Sequence, residues 1–173
     1  MAVYKETLKL NSHGGTPSYI NITKEVREAI KKSGIKEGIC TVISPHTTCS
    51  VFFEEYVHDI TKDGDEFLQA DLNDCLERIM PCQTTGDTYR YPGPAHMEAV
   101  CKWPDISKYL PTNSIRDIYN GDAHLRATLI GSSETFEVAN GELGVGVTGY
   151  VYFVDFDRTH PRERKCKIVV IGE

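Results

Sequence analysis

Residues 3–10 alternate apolar and polar side chains, the period-two pattern of a strand with one buried face. In residues 22–32 the apolar positions Ile22, Val26 and Ile30 recur every four residues. That spacing predicts one face of a helix, and Gly34 supplies a stop just beyond it. Residues 39–43 form a short, β-branched run that suits a buried strand leading into Ser44-Pro45-His46, and Val51-Phe52-Phe53 predicts the strand that follows. A second helix is expected where Leu68, Leu72, Leu76 and Ile79 share helical spacing, with Asp65 as its cap and Pro81 past its end.

The middle of the chain loses this regularity. Residues 82–120 contain Pro92, Pro94, Pro104 and Pro111 together with Gly86 and Gly93, and predict a long irregular excursion. Its aromatics Tyr89, Tyr91, Trp103, Tyr109 and Tyr119 favour an ordered one. The last third reads as β. Residues 125–130 are expected as a strand, and residues 135–138 face Glu142-Leu143 across an Asn140-Gly141 hairpin turn. Residues 147–156 are apolar on both faces, as in a central strand, and residues 166–171 add one more. The expected fold class is α+β: one domain over residues 1–173, with sandwich-like sheets of about seven strands and two main helices.

Composition narrows the function classes. A formal net charge of −6 over 173 residues argues against nucleic-acid and anionic-membrane partners. No run approaches the ~20 apolar residues of a membrane span, and the N-terminus alternates where a signal peptide would be continuously apolar. Six cysteines without a C-x-x-C pair are expected as reduced thiols, and the expected compartment is the cytoplasm.

Histidines at element ends carry the chemistry that the sequence offers. His46 leaves a buried strand, His96 lies in the proline-rich excursion, and His124 opens the 125–130 segment. Three imidazoles with an open position form a catalytic zinc-type site, so these three are the candidate ligands of a divalent metal, zinc in particular. Local capping or hydrogen bonding is the plain alternative for each. Asp122 is either a carboxylate orienting an imidazole or a turn residue, while His13, His58 and His160 read as surface or loop residues.

Thr47, Thr48, Ser132, Ser133 and Arg126 are candidate substrate binders, since hydroxyls and a guanidinium fork suit phosphate. Arg158, Arg162, Arg164, Lys165 and Lys167 form a basic run that is either a phosphate site or a charged strand edge. No Walker or G-x-G-x-x-G loop is present. Cys49 reads as a packed thiol, because its neighbours offer no charge to activate it. Glu54 and Glu55 point to opposite strand faces, so only one enters any pocket. Asp155, inside an apolar strand, is a candidate general base or metal partner, or else a salt-bridge partner of Arg126 or Arg158.

Ser-Pro-His-Thr-Thr at 44–48, Glu54-Glu55, Asp71, Asp122-Ala123-His124-Leu125-Arg126-Ala127, Gly131-Ser132-Ser133, Gly141-x-Leu143 and the strand ending at Asp157 follow one another in a specific order. In these motifs, over nearly its whole length, the chain resembles the YjbQ-type family, which is associated with a secondary thiamine-phosphate synthase activity. The resemblance implies a compact homotrimer and places His46 and His124 in the family's histidine site. The family's third histidine sits in a Tyr-x-His context that here reads Tyr89-Arg90-Tyr91, which makes His96 the substitute. Its Gly-Thr-Trp-Gln segment is Gly146-Val147-Thr148-Gly149 here, without the aromatic platform, and its strand glutamate is Asp155.

The expected function is therefore a metal-assisted enzyme on a small phosphorylated substrate. A thiamine-phosphate synthase-like transfer would join a pyrimidine pyrophosphate to a thiazole phosphate with loss of pyrophosphate. Asp155 and Glu55 are its candidate catalytic carboxylates. The rival expectations are a non-catalytic trimeric metal-binding or scaffold protein and a metal-dependent phosphoesterase.

Overall fold

The computed structural model describes residues 1–173. Strand β1 (Ala2–Ser12) realises the first alternating segment and pairs antiparallel along its whole length with β8 (Arg162–Gly172), Ala2 facing Gly172 and Ser12 facing Arg162. With β3 (Gly38–Ile43), β5 (Ser133–Ala139) and β6 (Glu142–Leu143) they form a five-stranded sheet in the order β1-β8-β3-β5-β6. A second sheet of three strands has the order β2-β7-β4, from β2 (Ser18–Asn21), β7 (Gly149–Asp155) and β4 (Cys49–Glu55).

The two sheets and helix α1 (Thr23–Ser33) share the main core. Val26 and Ile30 of α1, Val42 of β3, Val51 of β4, Phe153 of β7 and Ile168 of β8 all lie in it. Each such side chain contributes about 1.5–3 kcal/mol on leaving water. The predicted Gly34 stop is realised, at φ 70° in the left-handed region. The other face of the small sheet is covered as well. Tyr152, Val154 and Phe156 pack with Leu76 of α2 (Phe67–Ile79) and with Ala123 and Ala127 of α4 (Gly121–Ile130). This is why β7 is apolar on both faces.

The hairpin between β5 and β6 turns at Asn140 and Gly141, both with positive φ (56° and 78°), as a type I′ turn requires. The excursion is ordered. Helix α3 (Pro94–Val100) and two short 3₁₀ turns (Ile106–Lys108 and Ile115–Ile118) enclose a small core of Val100, Leu110 and Ile118.

Two expectations need correction. Residues 125–130 are helical: Ala123 and Ala127 bury a small-residue face against the sheet while Leu125 and Leu129 are left exposed, so no large apolar residue marks the buried face. Helix α2 is capped by Glu66 instead of Asp65. The Glu66 carboxylate takes the Gln69 backbone N–H while the Gln69 side chain returns to the Glu66 N–H, a capping box. The expected α+β class with two packed sheets holds; the totals are eight strands and four α-helices, of which α1 and α2 are the two main helices expected.

Candidate functional site

A cavity of about 400 Å³ opens where four segments meet. The loop between β3 and β4 brings His46, Thr47 and Thr48, and the start of α4 brings Asn120 and His124. The turn into β8 brings Asp157, Arg162 and Arg164. The excursion closes the side with Tyr91, His96, Trp103 and Tyr109. His46, His96 and His124, distant in sequence, therefore share one cavity. His96 reaches it through α3: its Nε2 lies 3.3 Å from the Tyr91 hydroxyl, and the Tyr91 ring packs 5.4 Å from that of His124.

The floor is a network of ion pairs. Arg164 donates from Nε and Nη2 to the two carboxylate oxygens of fully buried Asp155, at 2.6 and 3.1 Å, and from Nη2 to the Thr48 hydroxyl at 3.0 Å. Asp157 accepts from Asn120 Nδ2 (3.0 Å), from the Thr159 N–H and hydroxyl, and from Arg162 Nη2 (3.1 Å). Burial pushes the Asp157 carboxyl up, but Arg162 and these hydrogen bonds outweigh it and hold the pKa below its usual range.

His46 is fixed by the backbone: the Lys165 N–H donates to its Nε2 at 2.8 Å. That nitrogen is therefore the acceptor, and the neutral ring carries its proton on Nδ1. Burial lowers the His46 pKa, helped by repulsion from Arg164. Burial also lowers that of His124, against the pull of Asp157 and the Thr47 backbone. Both rings are neutral near pH 7.

What is left for a ligand follows from these partners. The carboxylate oxygens are spent on arginines, an amide and hydroxyls. His46 Nδ1–H and the exposed Thr47 hydroxyl remain as donors, beside the positive charge of Arg162 and Arg164, which line the cavity. This set favours an anion. It does not fit a metal ion held within the protomer. No three His, Cys, Asp or Glu groups are gathered for one, the acceptor lone pair of His46 is taken by Lys165, and Asp157, the carboxylate that lines the cavity, already carries Arg162.

The other expected site residues lie elsewhere. Arg126 is fully buried behind α4, bound to Glu77 and to the Met80 carbonyl, and does not line the cavity. Asp155 stands behind the wall, and its partner is Arg164 in place of Arg126 or Arg158. Glu55 is exposed at the far end of β4, six residues from Cys49 and so about 20 Å along the strand at ~3.3 Å per residue. Ser132 borders a separate shallow pocket on the other side of His46, and Ser133 is exposed at the start of β5. Asp122 orients no imidazole; it is buried against Arg158 and the Gln83 N–H. Cys49 is a packed thiol whose pKa burial pushes far up.

The residues that sequence reasoning underweighted are Arg162 and Arg164. A signal existed: even positions 164, 166, 168 and 170 form the buried face of β8, so Arg164 had to point inward while Lys165 and Lys167 point out.

The fold and cavity define a small two-sheet α+β protein with a histidine- and arginine-lined pocket. The model of the YjbQ-like UPF0047 family matches residues 6–173, and the chain belongs to that family. A UPF0047 protein of Methanothermobacter thermautotrophicus is 28% identical over 173 residues, spanning all of this chain and 95% of that protein. The UPF0047 protein YugU of Bacillus subtilis is 26% identical over 153 residues, 88% of this chain and 89% of that protein. An uncharacterized conserved protein of the yjbq/upf0047 family from Clostridium acetobutylicum superposes with a TM-score of 0.68 at 28% identity, covering 96% of this chain and 99% of its own. A YbjQ-like protein of unknown function from Sulfolobus solfataricus shares the fold, with a TM-score of 0.68 at 24% identity over 99% of both chains.

Proposed function

We propose that the chain is an enzyme that holds a small phosphorylated compound in the His46–His124 cavity and transfers a group from it with loss of phosphate or pyrophosphate. One observation carries this reading: the carboxylate that lines the cavity, Asp157, is already taken by Arg162, Asn120 and Thr159, while His46 Nδ1–H, the Thr47 hydroxyl and the guanidinium groups of Arg162 and Arg164 line it as donors and positive charge. A phosphoryl group needs such donors and offers none of its own when fully ionised.

The two imidazoles take different roles. His46 can only donate toward the cavity, so it stabilises charge on a departing oxygen. His124, kept neutral by burial, accepts the proton of the attacking group. Thiamine-phosphate synthase-like transfer, suggested by the family resemblance, is one reaction of this class, and a homotrimer belongs to the same proposal.

Chelator-treated protein titrated calorimetrically with inorganic phosphate and pyrophosphate tests the binding step. Saturable binding that is lost in Arg162→Gln, with a thermal melt showing that the variant folds, is the expected result. Absence of binding by the wild-type chain contradicts the reading. Assaying release of phosphate from phosphorylated compounds with water as sole acceptor separates phosphoesterase from transferase: the transferase reading predicts no release until a second substrate is added.

A further inference from the structure

The excursion is tied to the body at its two ends and almost nowhere between. At the entry, buried Gln83 donates its backbone N–H to Asp122 Oδ1 (3.3 Å), accepts the Gly121 N–H on Oε1 (2.8 Å) and donates from Nε2 to the Tyr91 carbonyl. At the exit, Asn120 donates from Nδ2 to Asp157 at 3.0 Å. Residues 92–119 lie between these two clamps. Their backbone hydrogen bonds all stay inside the segment, and so do their ion pairs, Lys102 with Glu98 and Lys108 with Asp105. Asp117 likewise spends its carboxylate on Thr112 and Ser114. Beyond the His96–Tyr91 contact at its own edge, one hydrogen bond reaches the rest of the chain: His160 Nε2 stands 3.4 Å from the Lys108 carbonyl oxygen.

The segment also keeps its own apolar interior. Val100, Leu110 and Ile118 are buried in one cluster with Met97 and Ile106, separate from the two cores of the body. Swinging the segment outward leaves that cluster together and takes only the cavity wall into water. A unit with so few bonds to its surroundings sits at the low end of local stability and opens without unfolding the sheets. What it carries is that wall, His96, Trp103 and Tyr109.

We infer that residues 92–119 are a gate: they open and close as one body over the His46–His124 cavity, pivoting at the Gln83 and Asn120 clamps and latched by His160. The opening follows from the bonding pattern alone, whereas retention of an anion behind the gate rests on the reading given above. Closure shields an occupant from water and opening releases it, as lids do in many enzymes. Neither movement disturbs the Asp155–Arg164 pair beneath, which lies outside the segment.

The test is native-state hydrogen exchange of the full chain, read by NMR at the hydrogen-bonded amides of Met97, Cys101, Trp103, Leu110 and Asn113. After correction for intrinsic rates, these amides are expected to share one opening constant and to exchange at least about a hundredfold faster than those of α4 and β7. His160→Phe keeps a ring and removes the latch. It is expected to speed all of them together by about two- to tenfold, the weight of one hydrogen bond, and to leave α4 and β7 unchanged. Inorganic pyrophosphate at about ten times its calorimetric Kd is expected to slow them about tenfold, as a ligand held only by the closed form requires. Unrelated constants at these amides, protection equal to that of α4, or no response to His160→Phe overturns the gate. So does a rate untouched by pyrophosphate that calorimetry shows to be bound, and each of these results leaves the anion reading standing. Absence of pyrophosphate binding overturns the anion reading instead, and the exchange of the wild-type and His160→Phe chains then decides the gate.

Discussion

Asp155→Asn tests what the buried pair beneath the cavity does. The substitution keeps shape and one carbonyl oxygen but removes the charge opposite Arg164, whose side chain is itself only 11% exposed. Breaking a buried ion pair by removing one partner costs about 3–5 kcal/mol. The lower end applies here, because the amide oxygen still accepts one hydrogen bond and Asp157 stands 3.6 Å from Arg164 Nη2. About 3 kcal/mol in a chain of this length lowers Tm by roughly 6–12 °C. Adding Arg164→Met removes the stranded cation and should recover much of the loss, since a buried pair replaced by apolar groups is often near neutral. Thermal and urea melts of the two single variants and the double variant measure this. A loss below about 1 kcal/mol for Asp155→Asn, or a double variant no more stable than it, refutes the reasoning. Because Asp155 does not line the cavity, phosphate binding by folded Asp155→Asn should survive; its abolition would return Asp155 to the role of a catalytic carboxylate.

Acid should weaken the fold in a defined window. His46 and His124 hold pKa values below the usual 6.5, so the unfolded chain takes protons that the folded chain refuses. Their contribution is full above about pH 6.5 and declines as pH falls through that value. Asp157, with a lowered pKa, is stabilising above its unfolded value of 3.8 and adds its loss further down. Tm measured from pH 8 to 4 should fall below about pH 6.5, and His124→Gln should flatten the upper part of that fall; a flat wild-type curve would contradict the assignment. Glu54 has the opposite sign. Burial raises its pKa to about 6, and one of its carboxylate oxygens is buried without a partner, so its ionisation opposes folding at neutral pH. Glu54→Gln should stabilise by about 1 kcal/mol at pH 7.5, a figure halved for partial solvent exposure, and by little at pH 4.5. Equal effects at both pH values would count against it.

The sequence shows most of the framework because large apolar residues there follow the period of their element. That holds for β1, α1, α2, β7 and the Asn140-Gly141 turn. It fails at α4, where alanines and Arg126 are buried and leucines are exposed. Composition by itself cannot distinguish a helix that packs a small-residue face against a sheet from a strand. In the site, His46, His96 and His124 were visible as residue types at element ends. Their tautomers and partners were not, because these depend on register: Lys165 reaches His46 only because β8 lies beside β3. The same register turns Arg162 and Arg164 inward and leaves Arg126, equally basic on paper, sealed behind α4. Tracing the His46 lone pair to the Lys165 N–H is what turns our proposal from a metal set toward an anion pocket.

The most direct measurement is ¹⁵N-histidine NMR of chelator-treated protein at pH 7, before and after addition of inorganic pyrophosphate. Residues 46 and 124 should both be neutral, with the proton of His46 on Nδ1, and both should shift on addition of pyrophosphate without any metal. Resonances that stay fixed until zinc or another divalent ion is supplied would contradict the account.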